Sequence, residues 1–322
     1  MQKILIIRLG AIGDVIHTSN VYRAIKKAHP DVEIHFLTSI NKALIENDKT
    51  LSKVWTIKAK NLKVFSKYFL DYTKLLKAEN FDIVINLQPS VKTRLLAFLA
   101  GIKKRYNYHK NNKIHAVTNY WQTAKRVFND IEELPELEIT LAEDVCEKIN
   151  KMVENYQRPF VILNCGHVFA KRQGRTYPIT KWIELGNKIQ EKYNGTIFIT
   201  GLKEDAEILE PLNSIKNSVS FVDKLSLEET SALIKTSDLL LSGDSGPLHI
   251  ATALKTKVVG LFGSMPVTRT GPYGNNHCVV VSKKSCVPCN RRKCKYLDFP
   301  NELYSPCMCE IDVNEILENI IL

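Results

Sequence analysis

Short apolar runs along the chain alternate with segments whose apolar residues recur at helical spacing. Ile4-Leu5-Ile6-Ile7 is continuous and ends at Gly10, as expected of a strand buried on both faces of a parallel sheet. Val15 to Ala28 then has helical spacing, and Pro30 marks its end. Glu33 to Thr38 alternates as a strand and Val54 to Ile57 reads as another. Leu62 to Leu76 predicts an amphipathic helix with Leu62, Phe65, Phe69, Leu75 and Leu76 on or near one face. Phe81 to Leu87 is a strong strand, followed by a helix from about Val91 to Ala100.

The second half repeats the scheme. Phe160 to Leu163 is a strand, Lys181 to Tyr193 a helix, and Thr196 to Thr200 a strand closed by Gly201. Ser226 with Glu229 three residues later is a capping-box signature. Leu239-Leu240-Leu241, Leu248 to Leu254 and Val258 to Phe262 continue as strand, helix and strand, and Cys278 to Val281 is the last strand. Two doubly wound α/β units follow, without an evident sequence repeat. The stretch Asn155 to Pro159, between a charged helix and a new strand, places the boundary so that residues 1–157 form one domain and 158–322 the other. In such sheets ligands bind beyond the carboxyl ends of strands, so the loops after strands are the places to look.

Composition narrows the classes. The 322 residues are 44% apolar and 25% charged, with 14 Gly and 12 Pro, which excludes a disordered or collagen-like chain. No apolar run approaches the roughly 18 residues that span a bilayer. Arg8 and Asp14 interrupt the apolar N-terminus before a signal core could form, so a cytoplasmic protein is expected. The net charge of +11 is unevenly held: residues 1–128 carry 23 Lys and Arg against 8 Asp and Glu. Nucleic acid, anionic lipid or a phosphorylated substrate could each answer that surface, as could solubility alone.

Four loops could carry chemistry. Gly10-Ala11-Ile12-Gly13-Asp14 follows the first strand; it is not a dinucleotide fingerprint, and Asp14 could simply cap the next helix. Gly243-Asp244-Ser245-Gly246-Pro247-Leu248-His249 combines a glycine that admits a ligand, a proline suited to a first helical turn, an acid, a hydroxyl and His249, and reads as a phosphate site. Gly263-Ser264-Met265-Pro266 could form a second wall or be an ordinary turn. Lys171-Arg172-Gln173-Gly174-Arg175 could neutralise a departing diphosphate. With no acidic DxD motif in a suitable loop, metal-independent neutralisation is expected. Five of the eight cysteines lie between Cys286 and Cys309. Cys286, Cys289, Cys294 and Cys307 could hold a structural zinc or iron, or remain plain thiols, because their gaps match no standard zinc finger.

The segments Ile4 to Thr18, Phe81 to Gln88 with Lys92-Thr93, and Asp244 to Ala251 resemble glycosyltransferase family 9, the ADP-heptose:lipopolysaccharide heptosyltransferases. The likeness spans nearly the whole chain. It implies a GT-B fold, two Rossmann-like domains facing an interdomain cleft, with the acceptor on the first and the nucleotide sugar on the second. It implies inverting transfer of heptose from ADP-heptose to the inner core of lipopolysaccharide or lipooligosaccharide, with no cofactor required for catalysis. Asp14 falls on the general-base position. Arg175 best matches the diphosphate-binding cation, although Lys171 or Arg172 could serve, and Asp244, Ser245, Gly246 and His249 match the nucleotide-sugar loop, with Gly263 beside it. Glu204 or Asp205 lies near the ribose-binding acid, and Gly13, Lys63 and Lys92 fall on the acceptor side.

There are two departures: Asn86 stands where many members carry Asp, and Asn164-Cys165-Gly166-His167 replaces the usual phosphate loop; the second bears on the donor, so other donor sugars remain open. The resemblance also gives the basic half a partner. Lys58, Lys60, Lys63 and Lys67, interleaved with Leu62, Phe65 and Phe69, could hold an anionic inner-membrane surface bearing a lipid A-linked core oligosaccharide, with no role for nucleic acid. A family-9-like transferase acting on protein hydroxyls, a basic zinc protein that binds nucleic acid, and a silent sugar-nucleotide sensor are the competing readings.

Overall fold

Burial of continuous apolar runs on both faces organises the structure, a computed structural model describing residues 2–39, 42–166, 175–291, 293–298 and 302–322. Strand β1 (Lys3–Ile7) has four fully buried aliphatic side chains, Ile4 to Ile7. Each contributes about 1.5–3 kcal/mol by leaving water. It pairs in parallel with β2 (Glu33–Thr38) and β4 (Ile83–Asn86). With β3 (Lys53–Thr56) and β5 (Lys104–Asn107) outside them, the sheet order is β3-β2-β1-β4-β5.

The second sheet contains β6 (Phe160–Asn164), β7 (Thr196–Thr200), β8 (Ser218–Ser220), β9 (Leu239–Gly243), β10 (Lys257–Phe262) and β11 (His277–Val281). Its order is β11-β10-β9-β6-β7-β8, and every pairing is parallel. Read from its far edge, this is the doubly wound sequence in which the first strand of the unit lies beside the fourth. The order therefore reverses between β1 and β4 in one sheet and between β6 and β9 in the other. Adjacent loops leave those strand pairs in opposite directions, and crevices open at such points. The expectation of two doubly wound α/β units is met, and the fold is GT-B.

The chain folds as two compact units, Met1–Leu141 and Ala142–Leu322, so the division does not fall at 157/158. The physical reason is the helix Glu143–Val153. It packs on the helix Leu227–Thr236, and Lys148 Nζ donates to Glu229 Oε1 at 2.6 Å. The helix preceding β6 thus belongs to the second unit. Two other local expectations change. The segment from Val15 to Ala28 is broken into Ile12–Ile16 and Ser19–Ala28, with the Thr18 hydroxyl donating to the Val15 carbonyl at 2.6 Å. The amphipathic helix begins at Lys67, not Leu62, because Ser66 Oγ accepts the Phe69 N–H at 3.2 Å and caps it. Leu62 and Phe69 are buried, while Phe65 is 66% exposed.

Candidate active site

In the first unit the loop after β1 lies at the point of strand-order reversal. Asp14 is the third residue of the helix Ile12–Ile16, and its Oδ2 accepts the Ala11 N–H at 3.2 Å. The capping role is therefore real. The same carboxylate does more: its Oδ2 pairs with the Arg8 guanidinium, and its Oδ1 accepts the Tyr120 hydroxyl at 2.5 Å. Arg8 is itself fixed, since its Nη1 donates to the Leu87 carbonyl, just past β4, at 2.7 Å. Its guanidinium lies 5.1 Å from the centre of the Tyr120 ring. Asp14 retains 31% of its side-chain exposure, against 7% for Arg8. The result is a carboxylate clamped on one side and open on the other.

Arg8 and Tyr120 were not legible as site residues. Arg8 had a signal, a charge at the end of a buried strand. Tyr120 had none, because only tertiary folding brings the helix Ala116–Ala124 to the end of β1. Gly13 is buried, and its carbonyl accepts the His17 N–H at 2.8 Å. Lys92 and Lys63 are exposed, Lys92 in the first turn of the helix Val91–Leu99. Asn86 is buried; its side-chain amide donates to Asn107 Oδ1 at 3.0 Å and its Oδ1 accepts the Gln88 N–H at 3.3 Å. An aspartate could not make the first of these bonds.

In the second unit, the reversal between β6 and β9 is tied by three polar side chains. Asn164 Oδ1 accepts the hydroxyls of Ser242 (3.1 Å) and Ser245 (3.3 Å), and those hydroxyls lie 2.7 Å apart. Asn164 thus holds the start of the loop that leads into the helix Gly246–Ala253. Ser245 stands at the N-cap but spends its hydroxyl on this network and makes no capping bond to the first turn. Gly246 and Pro247 open the helix, whose first N–H groups face outward along its axis. Asp244 lies between a cation and an imidazole, with Arg175 Nη1 at 3.7 Å and His249 Nε2 at 4.0 Å. Arg175, Asp244, Ser245 and Gly166 border one small notch of about 20 Å³. Arg175 Nε is buried there without a hydrogen-bond partner among the described residues, a donor in want of an acceptor. The structure therefore brings Arg175, Asp244, Ser245, Gly246 and His249 together. Lys171, Arg172 and His167 lie outside the described residues.

Two other expected donor-side residues sit differently. Asp205 is buried; its Oδ2 accepts the Leu202 N–H at 3.0 Å. Burial, with the Asp205 charge adding to it, pushes the Cys165 thiol well above its usual range. Glu204 is exposed. A Cβ on Gly263 would stand 2.7 Å from Met308 Sδ and 2.9 Å from Cys307 Sγ, so this glycine admits the cysteine-rich segment against the end of β10.

That segment surrounds a cavity of about 490 Å³, lined by Cys286, Cys289, Cys294 and Cys307 with Lys284, Arg291 and Lys295 among its neighbours. Among the described residues no three His, Cys, Asp or Glu side chains lie close enough to hold a metal ion. The four thiols share a cavity but not a coordination sphere, so of the two readings left open, a zinc or iron site and plain thiols, the first does not fit the residues as placed. Burial pushes the Cys307 thiol up, and the nearby Cys294, Cys286 and Cys289 add to this, which makes Cys307 a poor nucleophile.

Comparison with known proteins agrees with this geometry. The sequence profile of glycosyltransferase family 9 (heptosyltransferase) matches residues 70–299. A lipopolysaccharide heptosyltransferase 1 of Campylobacter coli is 26% identical, over 98% of this chain and 97% of its own. The lipopolysaccharide core heptosyltransferase OpsX of Haemophilus influenzae is 25% identical, over 87% of this chain and 84% of its own. The structure of E. coli ADP-heptose LPS heptosyltransferase II superposes with a TM-score of 0.78 at 18% identity, covering 99% of this chain and 97% of that one. A carboxylate at one strand-order reversal, a cation-flanked helix start at the other and a profile match over more than half the chain lead to one assignment: the chain is a glycosyltransferase and belongs to family 9, the heptosyltransferases.

Proposed function

We propose that the chain transfers heptose from ADP-heptose to the inner core of lipopolysaccharide or lipooligosaccharide, with inversion at the anomeric carbon. The observation that carries this reading is the Asp14 carboxylate, held by three donors at the end of β1 yet open to a ligand. The acceptor oxygen attacks the anomeric carbon, and its proton passes to Asp14. The bond from that carbon to the diphosphate oxygen breaks, and ADP leaves with the electron pair. A carboxylate is a weak base, but the attacking hydroxyl becomes strongly acidic as its new bond forms.

The leaving diphosphate needs its growing charge neutralised. Arg175, whose buried Nε has no hydrogen-bond partner among the described residues, and the start of the helix Gly246–Ala253, which the Ser245 side chain does not cap, suit that task. His249 adds a further donor, and Asp244 and Ser245 supply ribose or hydroxyl contacts. These groups carry the neutralisation without a divalent ion, so chelation with EDTA is expected to leave turnover unchanged. The ADP-heptose named for the E. coli structure supports the choice of donor. A thermal-shift panel of nucleotide sugars tests it: ADP-heptose stabilises the protein, in line with binding to the native state alone. Stabilisation by a different nucleotide sugar and none by ADP-heptose would overturn the donor assignment.

The acceptor is a lipid, and the first unit offers a surface for it. Lys58, Lys60, Lys63 and Lys67 are all exposed, beside exposed Val64, Phe65 and Leu70. Among the described residues no helix is long and apolar enough to cross a membrane. Peripheral docking on the cytoplasmic face of the inner membrane fits this combination.

A further inference from the structure

We infer that Tyr120 and Arg8 are positioning residues that leave a single oxygen of Asp14, Oδ1, to take the acceptor proton. The inference rests on the reading of Asp14 as general base and assigns the atom that acts. An ionised carboxylate has about two acceptor sites on each oxygen. Oδ2 has both filled, by the Arg8 guanidinium and the Ala11 N–H. Oδ1 has one filled, by the Tyr120 hydroxyl at 2.5 Å. Asp14 accepts no other hydrogen bond from the described residues, so the remaining site is the second lone pair of Oδ1. The exposed part of the side chain lets a hydroxyl reach it.

Each member of the clamp is held from a different part of the first unit. Arg8 ends β1 and is anchored to the Leu87 carbonyl beyond β4. Tyr120 is buried in the helix Ala116–Ala124, its ring centre 5.0 Å from that of Tyr108. Burial, with the Asp14 charge adding to it, pushes the Tyr120 phenol well above its ordinary value. It stays protonated and can only donate to the carboxylate at any working pH. The Asp14 carboxylate therefore cannot rotate without breaking contacts on both oxygens.

The test compares kcat and KM of wild type, Tyr120→Phe, Arg8→Lys, Arg8→Met and Asp14→Asn, with ADP-heptose and a lipid A-linked core oligosaccharide lacking heptose. Asp14→Asn is expected to be inactive. Tyr120→Phe is expected to lower kcat about tenfold with both KM values little changed. Arg8→Lys keeps the cation and retains more activity than Arg8→Met. An inactive Asp14→Asn beside a Tyr120→Phe whose kcat stays at the wild-type value would overturn the clamp while leaving the base assignment standing. A fully active Asp14→Asn would overturn the base assignment and, with it, the clamp's part in proton transfer.

Discussion

Asp14 serves two purposes with one side chain. It caps a short helix through the Ala11 N–H, and it neutralises Arg8, whose side chain is almost wholly buried. Asp14→Ala strips both roles and leaves a guanidinium in the interior without its counter-charge. Because Asp14 itself is partly exposed, the cost is about 1–3 kcal/mol, below that of breaking a fully buried pair. Asp14→Asn keeps an acceptor and a cap, so chemical denaturation should rank wild type, then Asn, then Ala. Equal midpoints for all three would show that the pair contributes nothing to folding. Gly263 gives a second test. A methyl there meets Met308 Sδ at 2.7 Å and Cys307 Sγ at 2.9 Å, both on buried side chains. Gly263→Ala should destabilise by about 1–3 kcal/mol through overpacking; an unchanged melting temperature would show that the cysteine-rich segment yields freely.

Secondary-structure elements were legible where burial alone writes the pattern. β1, β6, β7 and β10 are continuous or nearly continuous apolar runs, because parallel strands are covered on both faces, and β2 showed as an alternation. β5 was missed because Lys104 and Arg105 put charge on an edge strand, and β8 because it is three residues long. Ser226 and Glu229 formed the expected box, with the Ser226 N–H donating to Glu229 Oε2 at 2.7 Å and Ser226 Oγ accepting the Glu229 N–H at 3.1 Å. Yet Glu229 also takes Lys148, and this second contact moved the boundary between the units. Loop residues such as Asp14, Arg175 and Asp244 could be picked out because they follow strands. Their neighbours Arg8 and Tyr120 could not, and Asn164 was placed in the phosphate loop without its hold on Ser242 and Ser245, because these roles depend on contacts distant in sequence.

The pair between Lys3 and Glu79 shows the same long reach and carries a pH prediction. The Lys3 ammonium, 2.5 Å from Glu79, holds that carboxyl below its usual range, and Lys53 adds to this. A carboxyl lowered in the folded state adds stability above its unfolded pKa, and the gain is lost as pH falls through the folded value. The melting-temperature gap between wild type and Glu79→Gln should therefore be full at neutral pH and close in acid. A gap that widens on acidification would contradict the assignment.

For the molecule as a whole, the charge is divided between the two units. The positive excess lies in the first, where exposed lysines border exposed Phe65 and Leu70. Lipid docking through that face should weaken with salt and grow with anionic lipid. Replacing Lys58, Lys60, Lys63 and Lys67 by Gln should reduce sedimentation with anionic liposomes; binding indifferent to salt, lipid charge and these substitutions would remove the membrane role. The second unit carries the nucleotide loop, so the account divides proton removal and donor binding between two separately folded sheets. The most direct test is to measure both in Asp14→Asn: transfer with ADP-heptose and the truncated core acceptor, and ADP-heptose affinity by calorimetry. The account requires transfer to be abolished while the donor Kd stays within about twofold of wild type. Transfer at the wild-type rate, or loss of donor binding equal to the loss of transfer, would contradict it.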